Sequence, residues 1–180
     1  RNPRYFPHIE LTGIAATTIE EAPIATANLA VVAVPSAAFR ATVTALPGTC
    51  TILSLTKGLD PDTGDRLSTL VIDRPVAVLS GPNIAEEISR GLPAAAVIAG
   101  LDHALSVQIQ LAITSPTFRV YVNDDVAGVE LCAAAKNVIA LAAGGADGLG
   151  LGDNAKAALV ARGLAEMGRF AEASGAKPET

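Results

Sequence analysis

The sequence predicts an α/β fold, a mostly parallel sheet with helices on its faces followed by the start of an all-helical domain. Three observations carry this. Short aliphatic runs alternate with helix-like segments as far as Val122, and beyond Asn123 the pattern is helical only. Alternation of this kind implies parallel strands joined by right-handed helical crossovers. Half of the 180 residues are hydrophobic and only 3% are aromatic, so the core is expected to be close-packed from small aliphatic side chains. The change of pattern divides the chain into residues 1–123 and 124–180.

The elements follow in order. Arg1 to Ile9, with Pro3 and Pro7, reads as an extended loop, and Leu11 to Thr17 as a short strand. Thr18 followed by Glu21 has capping-box spacing and predicts a helical turn. Leu29 to Val34 is a continuous apolar run, the signature of a strand buried on both faces. Ser36 is placed to cap a helix from Ala37 to Ala45, and Pro47-Gly48 marks a turn. Thr51 to Leu55 is the next strand, Asp60 to Gly64 a loop, Leu67 to Ile72 a helix, and Val76 to Leu79 a strand. Ile84 to Arg90 reads as a helix ended by Gly91. Ala94 to Ala99 is a strand, Asp102 starts a helix to Ile113, and Phe118 to Val122 is the last strand. Asn123-Asp124-Asp125 then caps a long helix. The five glycines of Gly144 to Gly152 predict its C-cap and a turn, with Asp153-Asn154 starting another helix.

Charge and cysteine usage narrow the function. Thirteen basic against eighteen acidic residues give −5, which argues against nucleic acid because phosphate binding needs a basic field. Cys50 and Cys132 form neither a disulfide framework nor a metal-ligand spacing, and a reducing cytoplasm suits them. His8 and His103 are far apart, so no metal is expected. No stretch of membrane-spanning length is free of charge or glycine, and no signal peptide opens the chain.

Ligands of open parallel sheets bind at the carboxyl ends of the strands. Three such ends are readable: Val34-Pro35-Ser36, Leu55-Thr56-Lys57-Gly58 and Leu79-Ser80-Gly81-Pro82-Asn83. Lys57 is either a solvated loop lysine or a ligand group. Gly81-Pro82 is either a plain strand-to-helix turn or an anion-binding helix start. Lys136 is more unusual, because between Leu131 and Ala143 only it and Asn137 are strongly polar. A helix that is apolar all round is normally buried, and an unpaired buried ammonium is costly. Its neighbours Cys132, Ala133, Ile139 and Ala140 offer no carboxylate, so Lys136 either snorkels to water or meets a partner from elsewhere. Gly144 to Gly152 follows a helix rather than a strand, which rules out a phosphate cradle. Glu86-Glu87 and Asp124-Asp125 read as solvated helix starts, not as paired catalytic carboxylates.

Four segments, VAVPS at Val32–Ser36, SLTKG at Ser54–Gly58, SGPNIAEE at Ser80–Glu87 and the block from Gly128 to Met167, resemble the NAD(P)-dependent glycerol-3-phosphate dehydrogenases. The resemblance implies a partial Rossmann-like dinucleotide-binding domain in 1–123 and the first part of the all-α substrate-binding domain in 124–180. It implies that the Gly-rich fingerprint precedes Arg1 and that groups gripping the substrate phosphate follow Thr180. Lys136 corresponds to the family's catalytic lysine, which also touches substrate. Lys57 corresponds to a lysine contacting substrate and cofactor, Gly81, Asn83 and Asn137 to substrate-binding positions, and Ala85 to a cofactor contact. The aromatic that some members place after the VP turn is not matched, since Ala38 stands there and Phe39 follows. The implied activity is hydride transfer between NAD or NADP and dihydroxyacetone phosphate or sn-glycerol 3-phosphate, supplying glycerol phosphate for phospholipid synthesis. Partial burial would lower the pKa of the catalytic lysine towards its working range. A cytoplasmic homodimer is implied for the complete protein. The alternatives are a related two-domain hydroxyacid dehydrogenase, or an inactive fragment acting at most as a binding scaffold. Such a fragment is expected to expose apolar surface and to be poorly stable alone.

Overall fold

The computed structural model describes residues 4, 6, 7, 9, 10 and 12–180. The readings made on Arg1, Pro3, His8 and Leu11 lie outside them. Among the described residues five strands form one sheet, in the order β1 (Leu29–Val32), β2 (Thr51–Ser54), β3 (Val76–Ser80), β4 (Ala94–Gly100) and β5 (Phe118–Asn123). Helices α1 (Ser36–Ala45), α2 (Ala85–Ser89) and α3 (His103–Ile113) connect them, and α4 (Val126–Gly148) and α5 (Gly152–Ala173) follow as a packed pair. The expected α/β architecture is present, with β1–β2, β2–β3 and β4–β5 parallel and β3–β4 antiparallel.

The reversal has a length argument behind it. Helix α2 has five residues and spans about 8 Å, whereas five-residue β3 spans about 17 Å. So short a helix does not carry the chain back to the start of β3, and β4 runs back alongside it. Helix α3, with eleven residues, covers about 16 Å and restores a parallel crossover to β5.

Alternating side chains give the sheet two buried faces. On one, Ile109 of α3 packs on Leu53, Ala77, Leu79, Ala96, Ile98 and Val120. On the other, Phe39 and Val43 of α1 pack on Val32, Ile52 and Leu67, and Val126 and Val129 of α4 pack on Val78 and Ala99. Because β4 is reversed, β5 ends at the edge where β3 begins. Helix α4 therefore starts at that edge and crosses the sheet towards the ends of β1–β3. The ten residues from Val126 to Lys136 cover about 15 Å, close to the length of β3. That rise places Lys136 at the edge where Gly81 lies.

Several expectations are corrected. Residues 12–18 are turn and irregular backbone without a strand partner, so no strand forms at Thr12–Thr17, the described part of the expected Leu11–Thr17 strand. Glu21 does not reach back to a helix N-terminus. Its carboxylate accepts from Thr17 Oγ1 at 2.9 Å, and the Thr18 segment stays a turn. Ser36 lies inside α1, after Pro35, and its side chain makes no cap. The Leu67–Ile72 helix is only a 3-10 turn, Leu67–Leu70. Gly144 and Gly145 continue α4 rather than ending it, and the break comes at Gly150 and Gly152, both at positive φ. Nor is α4 buried along its length. Val138 is 70% exposed and Leu141 79%, because the sheet covers only the first turns. By length and composition α4 would suffice to cross a membrane, yet its N-terminal half is packed on the sheet.

Asp125 is a further correction, for it is buried and not solvated. It caps α4 by accepting from Gly128 N–H at 2.9 Å. It also accepts from Lys177 N–H at 2.8 Å and Thr180 Oγ1 at 2.6 Å, tying the segment after α5 to the start of α4. Burial alone would raise its pKa, but these donors hold it below the ordinary carboxylate value. The folded pKa lies below the unfolded one, so the stabilisation is full above the unfolded pKa and is lost as pH falls through the folded one. Asp125→Ala is expected to lower stability by about 1–2 kcal/mol at neutral pH, with a smaller difference in acid. Urea melts of both chains at the two pH values measure this, and equal losses at both would contradict the ionic origin.

Candidate active site

The carboxyl ends of β1, β2 and β3 converge at one edge of the sheet. Thr56 Oγ1 donates to Val34 O at 2.9 Å and ties the first two ends together. At the third, Gly81 is required by a close approach. A Cβ there would stand 2.5 Å from Ala95 O and 2.9 Å from Ala96 Cα, because the returning strand β4 passes beside it. The Gly81 carbonyl accepts from Asn83 N–H at 3.0 Å and from Lys57 Nζ at 3.1 Å. Lys57 is thereby drawn from the end of β2 onto the end of β3.

Lys136 completes the group from the helical side. Gly81, Ser80 and Pro82 line a cavity of about 570 Å³ together with Cys132 and Lys136 of α4 and Thr180. Burial lowers the pKa of Lys57, and the Lys136 ammonium beside it lowers it further. Two lysines from different elements therefore share one small volume. An arrangement of this kind stabilises negative charge developing on a bound oxygen. Cys132, one turn before Lys136, is half-buried, and burial raises its thiol pKa.

The structure brings Lys57, Gly81 and Lys136 together. It does not bring the other sequence candidates to the same cavity. Asn83 and Ala85 line a separate apolar groove of about 580 Å³ on the opposite face of the sheet, with Val31, Leu53, Leu55 and Leu79. Asn83 Oδ1 is buried there and has no donor among the described residues. Asn137 is exposed on α4. Among the described residues no group of three His, Cys, Asp or Glu side chains is placed to hold a metal ion.

Sequence reasoning missed Glu130. It is 7% exposed and paired with Arg66. The available signal was a carboxylate one residue before the apolar run that drew attention to Lys136.

Comparison with known families settles the relationship. The profile described as NAD-dependent glycerol-3-phosphate dehydrogenase N-terminus matches residues 1–106, and the one for the C-terminus of the same enzyme matches residues 125–180. The chain belongs to the NAD-dependent glycerol-3-phosphate dehydrogenase family. Glycerol-3-phosphate dehydrogenase (NAD(P)+) of Deinococcus radiodurans is 50% identical over 184 residues, covering 99% of this chain and 56% of its own length. The Thermus thermophilus protein of the same name is 49% identical, with 99% and 57% covered. The crystal structure of glycerol-3-phosphate dehydrogenase from Coxiella burnetii superposes with a TM-score of 0.79 at 39% identity, over 84% of this chain and 49% of that one. This member of the dehydrogenase family thus spans little more than half the length of the curated relatives it matches.

Removing the Lys136 ammonium takes away one of the two causes that lower the Lys57 pKa. In Lys136→Met, Lys57 is expected to titrate at higher pH, closer to an ordinary lysine. NMR titration of ¹³C-labelled lysines reads this directly, and an unmoved Lys57 midpoint would show that the two ammonium groups do not share a site.

Proposed function

We propose that the protein is an NAD(P)-dependent oxidoreductase that interconverts dihydroxyacetone phosphate and sn-glycerol 3-phosphate, providing glycerol phosphate for phospholipid synthesis. The observation that carries this is the meeting of Lys57 and Lys136 at the Gly81 turn. Lys136 donates a proton to the C2 oxygen during reduction and takes it back during oxidation. Proton transfer by a positioned side chain contributes about 10²–10⁴-fold to rate. Lys57 adds a second positive charge near the same oxygen or the substrate phosphate, held in place by the Gly81 carbonyl.

The bound nicotinamide would supply or accept the hydride. The residues present fit a dinucleotide: Ala85 and the apolar strand ends offer a flat surface on the face away from Lys136, with the orphaned Asn83 Oδ1 as a buried acceptor there, while the reacting ring would stand at the Gly81 edge beside Lys57. Asn83 and Asn137 are proposed as substrate-binding positions, and Ala85 and Lys57 as cofactor contacts. Residues 1–123 are assigned to the dinucleotide-binding domain and 124–180 to the substrate domain. NAD and NADP are both admitted, in keeping with the relatives' names. A cytoplasmic homodimer belongs to the same proposal, and the exposed apolar side chains Val138, Leu141, Leu164 and Phe170 support burial of the α4–α5 face against more protein.

In the full-length protein, Lys136→Ala is expected to reduce kcat by at least about 100-fold while NADH binding, followed by fluorescence titration, stays unchanged. Wild-type turnover in that variant would remove Lys136 from the chemistry.

A further inference from the structure

Glu130 is a carboxylate in the mostly aliphatic N-terminal half of α4, and it is fully provided with donors. Ser68 N–H donates to Oε1 at 2.9 Å, Arg66 Nη1 to Oε2 at 3.2 Å, and Ser68 Oγ to Oε2 in a short hydrogen bond. These donors sit on the 3-10 turn Leu67–Leu70, which is itself fixed. Leu67 is fully buried against Phe39 of α1 and Ile52 of β2. The carboxylate therefore joins α4 to the core beneath α1.

The remaining grip of α4 on the sheet comes from Val126 and Val129 against Val78 and Ala99. Contacts between small aliphatic side chains are non-directional and set height and rotation less sharply than directional bonds do. Three charge-assisted hydrogen bonds are directional and set one height and one rotation. A buried ion pair is by itself weak evidence for stability, so its presence here asks for another purpose. Lys136 lies six residues further on, about 9 Å along the axis and on a different side of the helix. Glu130 thus lies away from the cavity lining and acts on it only through the helix.

We propose that Glu130 is a positioning residue: clamped by Ser68 and Arg66, it fixes the register of α4 on the sheet and so the place of the Lys136 ammonium beside Lys57 and Gly81. This rests on the reading that Lys136 handles the proton. A misplacement of about 1 Å costs on the order of 100-fold in rate.

The test uses the full-length protein with Glu130→Gln, and separately Ser68→Ala, each made alone and combined with Lys136→Ala. Glu130→Gln is expected to lower kcat by about 10- to 100-fold and Ser68→Ala by about 10-fold, with the NADH dissociation constant unchanged. In the Lys136→Ala background, where the residual rate is read at high enzyme concentration, neither substitution is expected to lower the rate further. Should Glu130→Gln not fold, as judged by circular dichroism, Ser68→Ala carries the test because it removes a single hydroxyl. Unchanged kcat in the folded variants, or the same loss with and without Lys136, overturns the positioning role. Wild-type turnover in Lys136→Ala alone refutes the proton-handling reading instead, so the two failures are distinguishable.

Discussion

Helix α2 is too short to return the chain to the start of β3, and from that constraint the geometry of the site unfolds. Strand β4 turns back along β3, and α3 carries the chain across to a parallel β5. The next helix therefore begins at the edge of the sheet opposite the one that carries Gly81 and has to cross it. Had β4 run parallel to β3, α4 would begin at the edge that carries Gly81 and lead away from it. The same reversal puts Ala95 and Ala96 against position 81, so that only a residue without a Cβ fits there. One change of strand direction thus accounts for the glycine in the turn and for the lysine delivered to it.

Bringing two ammonium groups into one volume disfavours the charged form of Lys57, and the chain meets that cost by holding each lysine from behind. Lys57 is drawn in by the Gly81 carbonyl and half-buried. Lys136 is carried on a helix whose first turns are locked to the core through Val126, Val129 and Glu130. Repulsion that packing does not relax would be relieved by an incoming anion, so the pair of lysines favours negative charge before any substrate atom is specified.

Much of this was legible in the sequence for identifiable reasons. Ala94–Ala99 read as a strand because a strand buried on both faces leaves no polar alternation to confuse it; Leu29–Val34 read the same way, but only Leu29–Val32 is strand and Val31, on this edge strand, is 57% exposed. Asp102 and Asp125 marked helix starts, and both accept the expected backbone N–H. Lys136 stood out because so little around it is polar. What stayed hidden depends on contacts far apart in the chain. The direction of β4 follows from the length of α2, which single-sequence patterns place only to within a few residues. The partners of Glu130 lie 62 and 64 residues away. Asn83 and Ala85 share a motif with Gly81 but face the other side of the sheet, since the chain turns sharply at Pro82. Gly144 and Gly145 misled because a glycine's tolerance of many conformations includes the helical one.

Helix α4 is built like a cantilever, clamped over the sheet and, beyond it, supported by α5. Its last well-buried residue before the overhang is Ala133. Lys136 projects only three residues past that support, about 4.5 Å, while the tip at Gly148 lies fifteen residues past it, about 22 Å. In a rigid tilt about the clamp, displacement grows in proportion to distance, so the lysine moves roughly one-fifth as far as the tip. A tilt of the outer part of the hairpin would therefore leave the Lys136 ammonium almost stationary near the fulcrum.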